Sequence, residues 1–276
     1  MGKLLRVDNL QIELVTTRGI IRAVDGVSFA LDPGETVTII GESGSGKSTT
    51  GMGILGLLPT DLAVVSGSVQ FKNNEILNKP GELGKIRGRH IALIPQDPMT
   101  ALSPVHAVGS QLREAIRHSG ITGKGREIAR AVELLDQVHI PDPTTQLDKY
   151  PHQFSGGMLQ RILIAGALAA GPELIVADEP TSALDVTVQA SILDLLLELQ
   201  ETTGVGLLLI THDLGVARLM SDRIYVMKDG RFVENGGADD MVHRPQSPYT
   251  QKLLAAVPTL GDSPDTAPPA PIGATA

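Results

Sequence analysis

Residues 41–48 read Gly-Glu-Ser-Gly-Ser-Gly-Lys-Ser, the spacing G-x-x-x-x-G-K-[ST]. Glycines at 41, 44 and 46 let backbone N–H groups turn inward with no Cβ in the way. Lys47 is spaced to reach the β- and γ-phosphates of a nucleotide, and the Ser48 hydroxyl to ligate Mg²⁺. Gly41, Glu42, Ser43, Gly44, Ser45, Gly46, Lys47, Ser48 and Thr49 are therefore candidate nucleotide-binding residues. The loop also needs a strand before it and a helix after it. Residues 35–40 read as a buried strand. Residues 48–58 read as a helix with apolar residues at Met52, Ile54, Leu55 and Leu58. A helix starting there adds orphan N–H donors and partial positive charge to the cradle. A Gly/Ser turn that merely carries a lysine needs neither flank.

A second segment, Leu-Ile-Val-Ala-Asp-Glu at 174–179, is an apolar strand that ends in two acids. A carboxylate at such an end can hold Mg²⁺, and the next can polarise an attacking water. Asp178 is the metal candidate and Glu179 the general-base candidate. A solvated strand end would carry one acid more often than two. His212 follows the apolar run 206–211, at the strand end where open α/β sheets bind ligands. Gln96 also ends a strand, 91–95, and its amide could ligate Mg²⁺ or hold water. The ordinary alternatives are a solvated histidine and a loop glutamine. Ser155-Gly156-Gly157 opens a helix with a natural N-cap and bare backbone, either a flexible capped start or a second anion site. One chain does not need two phosphate-binding helix ends for one nucleotide. Two chains packed head to tail do, each offering Ser155–Gly157 to the other's γ-phosphate.

These residues need a scaffold. Leu5, Val7, Leu10, Ile12 and Leu14 nearly alternate with polar residues, and 24–31 reads as an antiparallel neighbour. Short strands follow at 68–71 and 90–95. From 108 to about 170 the pattern is helical, punctuated by Pro141, Pro143 and Pro151. Strands resume at 174–177 and 206–210, separated by a long helix near 187–203. The expected fold is α/β: a phosphate-loop nucleotidase core with a mostly parallel sheet, an N-terminal antiparallel β subdomain and an inserted helical subdomain at about 97–170. Asp229-Gly230 between 224–228 and 231–234 signals a hairpin. The core is expected over 4–258, and 259–276, rich in Pro, Ala, Gly and Thr, as a disordered tail.

Composition excludes other chemistry. The chain has 276 residues and no cysteine, which removes disulfides, thiolate metal sites and cysteine nucleophiles. A net charge of −8 argues against a general electrostatic grip on nucleic acid. Aromatics are 3% with no tryptophan, so stacking platforms for single strands are not expected. No apolar run reaches the roughly 18 residues of a membrane span, and the first residues lack the apolar core of a signal peptide. A cytosolic chain that can dock on a membrane protein is expected.

In combination the motifs resemble the ATP-binding subunits of ABC transporters, over residues 4–258. Gly41–Ser48 matches the Walker A loop, 174–179 the Walker B strand, Gln96 the Q-loop, and Phe154-Ser155-Gly156-Gly157-Met158 the signature. Ser182-Ala183-Leu184-Asp185 matches the D-loop and His212 the switch histidine. Pro95–Pro104, Tyr150–Gln153, Glu179–Gln189 and Pro248-Tyr249-Thr250 are similar to the dipeptide, oligopeptide and nickel importer branch, where Met158 in place of the signature glutamine is common. The resemblance implies ATP and Mg²⁺ as cofactors, with Lys47, Glu179 and His212 catalytic and Ser48, Gln96 and Asp178 at the metal. It implies a second ATP-binding subunit (a related chain or a second copy), two transmembrane permease subunits, an external substrate-binding protein and a peripheral position on the cytoplasmic face of the membrane. Peptides are the favoured cargo and nickel or another chelated metal the alternative.

There are two departures. No aromatic precedes the loop to stack on adenine, so Arg18 or Ile20 must serve. Many branch members carry a cysteine-rich extension for an iron–sulfur cluster; this sequence has no cysteine, so that cluster is not expected. Non-transport ABC ATPases are a weaker match, since there is no heptad run and one cassette. A plain phosphate-loop kinase would not need the Ser-Gly-Gly helix or the Pro-Thr-Ser-Ala-Leu-Asp run after Glu179.

Overall fold

The computed structural model describes residues 2–17 and 19–255. The expected tail at 259–276 and Arg18 lie outside the described residues. In chain order, β1 (Leu5–Thr16) and β2 (Gly19–Leu31) form an antiparallel pair, and β3 (Thr36–Ile40) runs into the loop before α1 (Lys47–Ile54). β4 (Ala63–Phe71) returns to β1, with β5 (Asn74–Glu75) beside it. α2 (Pro80–Ile86) precedes β6 (Ile91–Ile94). The helices α3 (Pro98–Ala101), α4 (Val108–His118), α5 (Lys124–Gln137), α6 (Pro143–Gln146) and α7 (Gly156–Leu168) then intervene before β7 (Leu174–Asp178). α8 (Val186–Thr203), β8 (Gly206–Thr211), α9 (Leu214–Met220), β9 (Arg223–Lys228), β10 (Arg231–Gly237), α10 (Ala238–His243) and α11 (Pro248–Ala255) complete the described chain.

Two sheets result. One is antiparallel, in the order β2-β1-β4-β5; the other runs β10-β9-β3-β8-β7-β6 and is parallel except for β10. The central strands β3, β7 and β8 are buried at every position. Continuous apolar runs of this kind belong to parallel strands covered on both faces. One face packs against α1 and the antiparallel sheet, through Ile12, Val37, Ile54, Val176 and Ile210. The other receives the inserted helices and α8, through Leu112, Leu134, Ile162, Ala177 and Leu196. A third cluster joins Ile40, Leu214 and Val226 to Tyr249 and Leu253 of α11. The parallel register aligns Ile40 with Thr211 and Asp178 with Ile210. The chain therefore leaves β3, β7 and β8 at one edge, and the candidate loop, Asp178-Glu179 and His212 emerge together.

Three boundaries differ from the sequence expectation. α1 ends at Ile54 rather than at 58, because Gly56 turns left-handed at φ 59° and the Leu57 N–H pairs back to Met52. β2 begins at Gly19 and β4 at Ala63, earlier than read. Both extensions pair with the far half of β1, where Leu14 lies opposite Ile21 and Ala63. The imperfect alternation in β1 has a cause as well. Asn9 sits at φ 48° in a bulge between the buried Val7 and Leu10, and this resets which side chains face the core.

Candidate active site

The helix that follows the loop starts without a side-chain cap, as α2, α4, α5, α6 and α10 also do, but it alone opens from the glycine loop. α7, α8 and α9 are each capped by a side chain, from Ser155, Asp185 and Asp213. α1 has no side-chain cap, and no acid in its first turn. Its first-turn N–H groups have no intrahelical acceptor, and they face the cleft. Gly46 makes the entry possible. It has φ 106°, and a Cβ there would come within 2.4 Å of the Ala23 carbonyl oxygen. An uncapped helix start beside a glycine loop is built to take an anion.

Gly41, Glu42, Ser43, Gly44, Gly46, Lys47, Ser48 and Thr49 line one cleft of about 920 Å³ together with Gln96, Glu179 and His212. Ser45 lies behind it. Its side chain is buried without a partner among the described residues, and its carbonyl accepts from the Gly230 N–H at 2.9 Å. Lys47 is buried, and its ammonium donates to the Gly41 and Glu42 carbonyls at 2.8 and 2.9 Å. Burial pulls its pKa below the usual lysine range, against the pull of Glu179 and Asp178. The Ser48 hydroxyl donates to Asp178 Oδ1 at 2.8 Å, joining two residues 130 positions apart. Burial pushes the Asp178 carboxyl up; the Ser48 hydrogen bond and Lys47 oppose this, while Glu179 adds to it.

Glu179 is the convergence point. It sits at φ 46°, a conformation non-glycine residues rarely adopt, and its N–H donates to the Ile210 carbonyl at 2.8 Å. Gln96 Nε2 donates to Glu179 Oε2 at 3.1 Å, and His212 Nδ1 lies 3.2 Å from the same oxygen. The Glu179 side chain is 13% exposed and that of His212 57%, so the histidine covers the carboxylate from the solvent side.

Ser155, Gly156 and Gly157 stand apart. They do not line the cleft, and Ser155 and Gly156 are exposed. The Ser155 hydroxyl accepts from the Met158 N–H at 3.4 Å. Sequence reasoning missed several lining residues: Leu14, Ile21, Arg22, Ala23, Asp229, Gly230 and Leu253. Ile20 does not line the cleft, whereas its neighbours Ile21, Arg22 and Ala23 do. Arg22 is held there by Glu13, at 2.7 Å. Asp229 and Gly230 were marked as a hairpin turn but not as cleft lining, and no local motif marks the others, which arrive through the pairing of β1 with β2 and the position of α11.

Residues 24–182 match the family described as ABC transporter. The chain is 49% identical to the dipeptide transport ATP-binding protein DppD of Bacillus subtilis (strain 168), over 94% of this chain and 78% of that one. It is 46% identical to the oligopeptide transport ATP-binding protein OppD of the same organism, over 95% and 74%. A solved dimeric ATP-binding cassette in a post-hydrolysis state, bound to ADP and Pi, superimposes with a TM-score of 0.74 at 31% identity, over 85% of this chain and 98% of that one. With 159 of its 276 residues inside the family match, this chain belongs to the ABC transporter family, as a cassette that binds and hydrolyses ATP.

Proposed function

We propose that this chain is the ATP-hydrolysing subunit of an importer of di- or oligopeptides. One observation carries the catalytic reading: the uncapped α1 start, the Ser48–Asp178 pair and the Gln96–Glu179–His212 cluster surround one cleft. The peptide reading is supported by relatives named for dipeptide and oligopeptide transport.

The donor set suits Mg²⁺. Ser48, Asp178 and Gln96 offer a hydroxyl, a carboxylate and an amide carbonyl, the hard oxygen ligands this ion takes. When bound, the ion would neutralise charge on the β- and γ-phosphates. The first-turn N–H groups of α1 and the loop would hold the phosphates, with Lys47 turning from the Gly41 and Glu42 carbonyls toward the terminal oxygens. Glu179 Oε2 accepts a proton from the attacking water. Gln96 and His212 fix the position of that oxygen and keep bulk water off it.

Ser155, Gly156 and Gly157 complete the site of a second ATP-binding subunit, a related chain or a second copy. The exposure of Ser155 and Gly156, and the distance of all three from this chain's own cleft lining, support that role. The membrane partners are two permease subunits, served by an external substrate-binding protein. No helix among the described residues is long and apolar enough to cross a membrane. The chain would therefore sit peripherally, on the cytoplasmic face. A docking place is available beside the Q-loop: a cavity of about 550 Å³ lined by Leu102, Leu112, Ile162 and Ala167, with Met99 and Val105 exposed nearby.

Deleting the chain from its host should abolish growth on a di- or oligopeptide as sole source of a required amino acid. Unchanged peptide uptake with lost nickel uptake would reverse the cargo assignment and leave the ATPase intact.

A further inference from the structure

The backbone of Glu42 is held at both its N–H and its carbonyl. Its carbonyl accepts from the Lys47 ammonium at 2.9 Å. Its N–H donates to the Tyr249 hydroxyl on α11 at 3.3 Å, across 207 residues of sequence. Lys47 is the mobile partner of the two, because phosphates entering the cleft compete for its ammonium. Once Lys47 turns to them, the Ser45 N–H still donates to the Glu42 carbonyl at 3.2 Å, and Tyr249 remains as the side-chain anchor on the Glu42 N–H. We infer that Tyr249 is a positioning residue for the phosphate loop, holding Glu42 in place while Lys47 serves the nucleotide.

The surroundings of Tyr249 suit that task. Lys228 Nζ lies 5.0 Å from the Tyr249 ring centroid, and Lys228 borders the Asp229-Gly230 turn. That turn supports the loop a second time, through the Gly230 N–H on the Ser45 carbonyl. One helical turn after Tyr249, Leu253 lines the cleft itself. α11 thus presents a hydroxyl to the loop and an apolar side chain to the ligand space. Both supports come from residues beyond the 24–182 family match.

The helix is seated independently of the hydroxyl. The Glu234 carboxylate accepts from the Gln246 N–H at 2.6 Å and the Ser247 N–H at 3.0 Å, and Leu253 and Leu254 pack on the Ile40 cluster. Removing the oxygen alone should therefore leave α11 docked.

The inference rests on the nucleotide reading of the cleft, and one experiment separates the two. Mg-ATP binding, steady-state hydrolysis and nucleotide-free melting are measured on the full chain and on Tyr249→Phe. In the variant the KM and Kd for ATP should rise about threefold to tenfold, the effect of one neutral hydrogen bond. The kcat and the nucleotide-free Tm should be unchanged. Equal KM values in the two proteins would overturn the inference, as would a Tm loss with KM unmoved, which marks a structural tyrosine. A wild-type chain that binds no ATP would overturn the cleft reading and this inference with it.

Discussion

Glu179 Oε2 collects Gln96 from 83 residues upstream and His212 from 33 residues downstream. Beside it, Ser48 donates to Asp178. The phosphate loop, Asp178 and Glu179 were legible in the sequence, because each motif is local: a spacing of glycines, or an apolar strand ending in acids. The meeting of Gln96 and His212 on one carboxylate oxygen was not legible, since parallel register and strand order decide it. The same holds for Leu14, Ile21 and Leu253, which reach the cleft from another sheet and a distant helix. The Ser48–Asp178 pair yields a prediction at this scale. Ser48→Ala removes one proposed metal ligand and frees a buried acid of its hydrogen bond. Affinity for ATP should fall about tenfold or more in excess Mg²⁺, the worth of a contact to a charged group. In EDTA the variant and the wild type should bind ATP alike. Calorimetric titration with and without chelator makes the comparison.

Among the elements, the buried strands β3, β7 and β8 were readable from apolar runs, and the helical insertion from its period. The extended ends of β2 and β4 were not. Their residues include the exposed Ile20, Ile21 and Val64, so no burial pattern marks them, and pairing with β1 alone makes them strands. The start of α7 shows two adjacent glycines with different duties. A Cβ at Gly157 would lie 2.5 Å from Val188 Cγ1 on α8, whereas at Gly156 the nearest atom is Leu184 Cδ2 at 3.5 Å. Gly157 lets two helices approach; Gly156 is open to a partner. Gly157→Ala should lose about 1–3 kcal/mol of stability through overpacking, read by urea unfolding. Gly156→Asp should fold and bind ATP normally, yet hydrolyse it slowly. Its carboxylate would repel a partner-bound γ-phosphate at a helix N-terminus that favours anions. Loss of ATP affinity in monomeric Gly156→Asp would place the residue at its own nucleotide and contradict the shared site.

For the whole molecule, the two sheets divide the work. The parallel sheet brings the loop, the acids and the histidine to one edge, and the antiparallel sheet walls the cleft with Leu14, Ile21 and Arg22. The inserted helices carry Ser155 and Gly156 exposed and away from the cleft. The proposed pairing follows from this division: nucleotide binds in one place and Ser155 and Gly156 offer a half-site to a partner elsewhere. The proposed mechanism depends on one proton acceptor, so the most direct measurement is ATP binding and turnover in Glu179→Gln, which keeps the shape of the side chain and removes its basicity. The expected result is wild-type affinity for Mg-ATP with turnover lower by at least about a hundredfold, the range for losing a positioned base. Turnover close to wild type in that variant would contradict the account.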